Sequence, residues 1–128
     1  MLQDNLYQLL SYNLSEPGDR ITATIRLNKE HPVFQGHFPG NPILPGVCTI
    51  QIIKDLIDRG MGAKYMLTKA GNVKYLGFVN PVANPEMLFD LALKQADTGV
   101  VACTATASAG GNTTCSFKGE FTRLVHPA

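Results

Sequence analysis

Between residues 20 and 28 the chain alternates: Ile21, Ala23, Ile25 and Leu27 are apolar, and Thr22, Thr24, Arg26 and Asn28 between them are polar. A period of two puts each set on its own face of a pleated strand, so ITATIRLN predicts a strand with one buried side. Further along, YMLTKAGNVKYLGFV, EMLFDLALKQA, VVACTATASA and TTCSFKGEFTRLV read as strands, broken at NPVANP, DTG and GGN. EMLFDLALK has helix propensity too, but its alternation within a run of hairpins predicts strand. GVCTIQIIKDLIDRG follows another period. Val47, Ile50, Ile53 and Ile57 recur every three or four residues, Ile52 and Leu56 widen the stripe, and Pro45 and Gly60 bound it. So wide a stripe, rich in β-branched residues of modest helix propensity, predicts a helix held in place by a sheet wrapped around it. Leu2, Leu6, Leu9 and Leu10 at helical spacing predict a short amphipathic helix or turn at the N-terminus. One long helix with a meander of antiparallel strands is an α+β plan.

Composition adds bounds to this plan. The 128 residues are the size of one domain, 1–128, with no repeat or low-complexity segment. Eleven basic and ten acidic residues, formal net charge +1, are spread without runs of like charge, which argues against nucleic acid or anionic lipid as partners. Apolar stretches break before the roughly 20 residues a membrane span needs, and MLQDNLYQLL has an early Asp and no basic region, so the expectation is a soluble, cytoplasmic protein. Cys48, Cys103 and Cys115 are odd in number and lack zinc-site spacing, so no metal is expected and the thiols should be reduced and buried. Cys103 and Cys115 flank the turn AGGN, where they would face each other across a hairpin as packing rather than as a disulfide.

From His31 to Pro45 no regular period survives, because Pro32, Pro39, Pro42 and Pro45 each fix φ and remove a donor. His37 stands inside this stiff loop, between Gly36 and FPG. A ring with few options suits a general base; the other reading is a histidine that satisfies backbone groups in a crowded loop. His31, beside Pro32, and His126, near the C-terminus, fit surface or packing roles. At Pro45-Gly46-Val47 the helix begins, and its first N–H groups lack intrahelical acceptors and sit at the positive end of the macrodipole. There Gly46 and Val47 can polarise a carbonyl, with Gly46 permitting close approach, although many helices start this way for structural reasons alone.

HPVFQGHFPGNPILPGVCTIQII resembles the signature of the hot-dog-fold beta-hydroxyacyl-acyl carrier protein dehydratases, and the likeness extends through EPGDRITATIRLN and VKYLGFVNPVANPEMLFDL. The resemblance implies a long central helix wrapped by a curved antiparallel sheet, in a homodimer or an oligomer of dimers with sheets joined edge to edge. Two sites would lie at the subunit interface, each combining the loop histidine of one subunit with the helix of the other. The implied partner is acyl carrier protein, whose phosphopantetheine arm brings the acyl chain; no further cofactor is implied. His37 would take the proton alpha to the thioester, and the N–H at Gly46 or Val47 would polarise its carbonyl.

The resemblance places an acid on the helix fourteen residues after the histidine, and that position here is Gln51. A glutamine hydrogen-bonds but cannot deliver a proton. Asp55, one turn beyond, is the alternative acid, although a rise of about 6 Å carries it away from the leaving group and a solvated helix face explains it better. His37 performing both proton transfers is the other way out. Three functions stay open: a dehydratase with an altered acid position, an acyl-thioesterase, or a non-catalytic member of a heterodimer whose partner supplies a carboxylate. Chain length would depend on Met61, Met66, Leu76, Phe78 and Phe89, and the turn Ala83-Asn84-Pro85-Glu86 departs from the family's usual Pro-Gly-Asp.

Overall fold

The structure is a computed structural model that describes residues 6–36 and 40–125. Leu2, His37 and His126 lie outside the described residues. In chain order the elements are β1 (Tyr7–Leu14), β2 (Arg20–Leu27), α1 (Val33–Gly36), α2 (Gly46–Met61), β3 (Tyr65–Tyr75), β4 (Glu86–Gln95), β5 (Val100–Ala109) and β6 (Asn112–Arg123). The strands form one six-stranded sheet in the order β1-β2-β4-β5-β6-β3, with every neighbouring pair antiparallel. Because β2 and β3 lie far apart in that order, the chain between them must cross the sheet, and α2 makes the crossing while packing on β2, β3 and β6. This is the α+β, hot-dog arrangement expected from the sequence.

The alternation explains which face α2 covers. Ile21, Ile25, Met87, Phe89, Leu91 and Phe117 point inward and are buried, and Ile52, Ile53, Leu56 and Ile57 of α2 meet that face. Large and small residues alternate across the strands: Phe89 stands opposite Ala107, and Phe117 opposite Ala105. Such pairing fills the layer under the helix without overpacking it.

Helix α2 ends one turn-position later than expected. Gly60 lies inside the helix, where Tyr12 Oη would be 2.7 Å from an added Cβ, and the stop is Gly62, whose φ of 67° admits few side chains. Its N–H donates to Asp58 O at 2.9 Å. The Asp58 carboxylate then pairs with Lys54 and accepts the Tyr65 N–H at 2.8 Å, which ties the helix end to the first residue of β3.

Two expectations are corrected here. Leu9 and Leu10 belong to β1 and not to a helix; Leu9 pairs with Ile25 and Ser11 with Thr24, leaving Leu10 as the extra residue of a bulge. Cys103 and Cys115 share a hairpin but do not face each other: Cys103 stands opposite Gly119 and Cys115 opposite Ala107. All three cysteines are buried free thiols, and burial pushes Cys103 up to about 12. The turn after Val79 is built by Asn80, whose Oδ1 accepts N–H groups from Val82 and Ala83 at 2.8 and 3.3 Å.

The inward and outward faces of β4 and β6 make a direct test. Phe117→Ala, which empties a buried ring site beside Phe121, is expected to cost about 3–5 kcal/mol in chemical denaturation. Leu88→Ala, on a side chain 61% exposed, should stay within about 0.5 kcal/mol of wild type.

Candidate active site

Helix α2 starts without a side-chain cap. Pro45 at the N-cap has extended ψ of 141° and no hydroxyl or carboxamide to offer the first N–H groups. The ring of Tyr75, at the end of β3, lies over Gly46 so closely that an added Cβ would come within 2.7 Å of Tyr75 Cε1 and Oη. Beside them opens a cavity of about 200 Å³ lined by Ile43, Leu44, Gly46, Thr49, Tyr75 and Phe78, among others. Its walls are mostly apolar, and the start of the helix, at the positive end of its macrodipole, forms part of the wall. Burial, then the nearby Cys115, raises the Tyr75 hydroxyl above its ordinary value, so it remains a donor.

Three residues four apart, Val47, Gln51 and Asp55, run along one face of α2. They grade from outside to inside: Val47 is 74% exposed, Gln51 half-buried and Asp55 only 7% exposed. The solvated face expected for Asp55 is therefore corrected. Its carboxylate is satisfied internally, with Tyr7 Oη donating to Oδ2 at 2.9 Å and Gln51 Nε2 donating to Oδ1 at 3.2 Å. A buried carboxylate needs such donors, because water cannot supply them. Tyr7 is buried as well, and burial first, then the Asp55 charge, holds its phenol well above the usual tyrosine range.

Of the residues singled out in the sequence, Gly46 and Val47 form the helix start, and Gln51 and Asp55 are joined by a hydrogen bond. His31 accepts the Val33 N–H on Nδ1 at 3.0 Å and its carbonyl accepts the Phe34 N–H, so it caps α1. Among the residues expected to set chain length, Phe78 lines the cavity while Phe89 lies in the core. Tyr7 was not foreseen, because nothing local to YQLL signals a partner 48 positions away. Thr49, Ile43 and Leu44 were likewise only parts of an apolar or proline-rich stretch until the fold gathered them. Among the described residues, no group of three or more His, Cys, Asp or Glu side chains is placed to hold a metal, and no helix is long and apolar enough to cross a membrane.

Comparison with known proteins adds four findings. A family model described as ApeI-like, ApeI dehydratase, matches residues 13–118. The 3-hydroxyacyl-[acyl-carrier-protein] dehydratase FabZ of Levilactobacillus brevis is 31% identical over 113 residues, covering 78% of this chain and 71% of that protein. Among solved structures, the dehydratase heterocomplex ApeI:P from Xenorhabdus doucetiae superposes with a TM-score of 0.74 at 19% identity, covering 91% of this chain and 97% of that one. A hypothetical thioesterase with coenzyme A from Streptococcus pneumoniae shares the fold at TM-score 0.64 and 9% identity, covering 95% and 88%.

Tyr7→Phe removes one donor from a buried carboxylate, and it is expected to lower stability by about 1–3 kcal/mol in urea titrations near neutral pH. The wild type should also lose stability as pH climbs past the ordinary tyrosine value of about 10, since the unfolded chain releases a proton there that folded Tyr7 retains. Subtracting the Tyr7→Phe curve isolates that alkaline loss; two parallel curves would contradict the buried phenol.

Proposed function

Since this chain belongs to the ApeI-like dehydratase family, we propose that it dehydrates 3-hydroxyacyl thioesters delivered by acyl carrier protein, with His37 as base and Gln51 in the place of the helix acid. The observation that carries this reading is the uncapped start of a buried helix at Gly46, opening onto a mostly apolar cavity of about 200 Å³. A phosphopantetheine thioester would lay its carbonyl oxygen against the N–H groups of Gly46 and Val47, where the helix end favours developing negative charge.

In this mechanism His37 takes the proton from the carbon alpha to the thioester, and the resulting charge flows into the held carbonyl. The carbon–oxygen bond at the 3-position then breaks and the double bond forms. The leaving hydroxyl takes the proton back from His37, departs as water, and leaves the histidine as it began. Gln51 hydrogen-bonds the hydroxyl and the product water; an amide has no proton to release. A dedicated acid is typically worth 10²–10⁴ in rate, roughly 3–5 kcal/mol, so the expected turnover is slow.

The exposed apolar groups near the cavity support an assembly. Phe78 is 85% exposed and Leu76 and Tyr75 are more than half exposed, and all three follow or end β3, whose outer edge has no strand beside it among the described residues. An open strand edge with an apolar cluster at its end is suited to a second sheet, as the edge-to-edge dimer requires. A heterodimer is the second reading, favoured because a structural neighbour is a dehydratase heterocomplex. A carboxylate from such a partner would supply the acid that Gln51 does not.

Hydration of crotonyl thioesters, followed by loss of the conjugated enoyl absorbance, tests these readings. Activity is expected in wild type, absent in His37→Ala, and raised at least about tenfold in Gln51→Glu. Release of free thiol would identify a thioesterase instead. An inert protein that becomes active on mixing with a carboxylate-bearing relative would favour the heterodimer, and inertness in every combination would dismiss both.

A further inference from the structure

Resting on the dehydratase reading above, we propose that Tyr7 and Asp55 are positioning residues that hold the Gln51 carboxamide in one orientation, its carbonyl oxygen turned away from Asp55 and free to accept the substrate hydroxyl. The hydrogen-bond chain Tyr7 Oη to Asp55 Oδ2 and Gln51 Nε2 to Asp55 Oδ1 runs from the edge strand β1 to the half-buried middle of the helix face. Oxygen and nitrogen of an amide are assigned from their partners, and here the partner decides: a carboxylate only accepts, so the end of Gln51 that meets Asp55 is its NH₂ group. Tyr7 holds the other carboxylate oxygen, so Asp55 cannot turn away without abandoning a buried donor. Burial and the Asp55 charge keep the Tyr7 phenol protonated, so the donor persists through the working pH range.

The orientation matters to the chemistry. When Gln51 Oε1 accepts the hydrogen of a 3-hydroxyl, the hydroxyl oxygen becomes a better base for the proton returning from His37. With the amide reversed, NH₂ would donate to the same lone pair and oppose that transfer. Tyr7 and Asp55 thus act on the reaction through Gln51 without touching the substrate.

Two measurements on the full chain decide the matter. In a double-mutant cycle, Tyr7→Phe and the isosteric Asp55→Asn, which leaves one acceptor oxygen for two donors, should each lower kcat roughly five- to tenfold with KM unchanged, the scale of one hydrogen bond. In the Gln51→Ala background the same substitutions should have no further effect. Equal losses in both backgrounds would overturn the proposal in favour of a merely structural role. The second measurement needs no turnover: the side-chain amide signals of Gln51 in NMR, identified by their loss in Gln51→Ala. One amide proton should exchange slowly in wild type and become like that of a free glutamine in Tyr7→Phe and Asp55→Asn. A freely exchanging amide in wild type overturns the positioning outright. A fixed amide in a protein without dehydratase activity upholds the positioning and removes only the reading on which its catalytic use rests.

Discussion

A helix with apolar side chains on most of its circumference cannot lie on a surface, and the rest of this structure follows from having to enclose α2. Ile52, Ile53, Leu56 and Ile57 are buried together, so the sheet has to receive the helix over several strands. Bulges in β1, in β3 and between β5 and β6 interrupt the ladders where the sheet must bend to do so. Alanines on β5 opposite Phe89 and Phe117 keep the enclosed layer from becoming too thick. Enclosure also has a limit: a helix wrapped along its length still presents its first turn, and at Gly46 that turn meets a cavity instead of a cap.

The polar face of α2 is arranged by the same enclosure. Moving four residues at a time from Val47 to Gln51 to Asp55 passes from solvent to interior. Asp55 thus arrives at a depth where a carboxylate must be met by donors, and it is met by one from a distant strand and one from the previous helical turn. A second carboxylate at the position of Gln51 would stand a hydrogen bond away from the first, and two such groups hold one proton between them. The amide avoids that repulsion and adds a donor. Glutamine at this position is consistent with the depth of Asp55.

Much of this plan was legible in the sequence because its signals are local. The alternation in ITATIRLN is the burial pattern of β2, and Ile52, Ile53, Leu56 and Ile57 of the stripe in GVCTIQIIKDLIDRG are buried in α2, whereas Val47, in the open first turn, is 74% exposed and Ile50 is half-buried. The N-terminal segment misled for a physical reason. Leu6 is buried, Leu9 half-buried and Leu10 the extra residue of a bulge, so apolar side chains fall at 6, 9 and 10, a spacing that strict strand alternation does not give and a helix does. The site was legible only in part. Gly46, Val47 and Gln51 announce themselves through the helix start and the motif around them, whereas the depth of Asp55 and the role of Tyr7 depend on a contact 48 residues apart.

The neighbouring contact between Gln51 and Asp55 bears on what the Gln51 carboxamide can offer. Exchanging a carboxylate for an amide on a helix face normally leaves a polar side chain free to rotate, and a rotating amide offers donor and acceptor indifferently. Here the neighbouring carboxylate removes that freedom, because it can accept only from the nitrogen end. An amide has no proton to give up, and what a neutral group can offer a transition state is fixed geometry. In the mechanism proposed above, a histidine that removes and returns the same proton asks for no second acid; it asks that the hydroxyl be held with its lone pair open. Under that proposal, a glutamine tethered through Asp55 to an edge strand would meet the requirement, which a solvated glutamine would not.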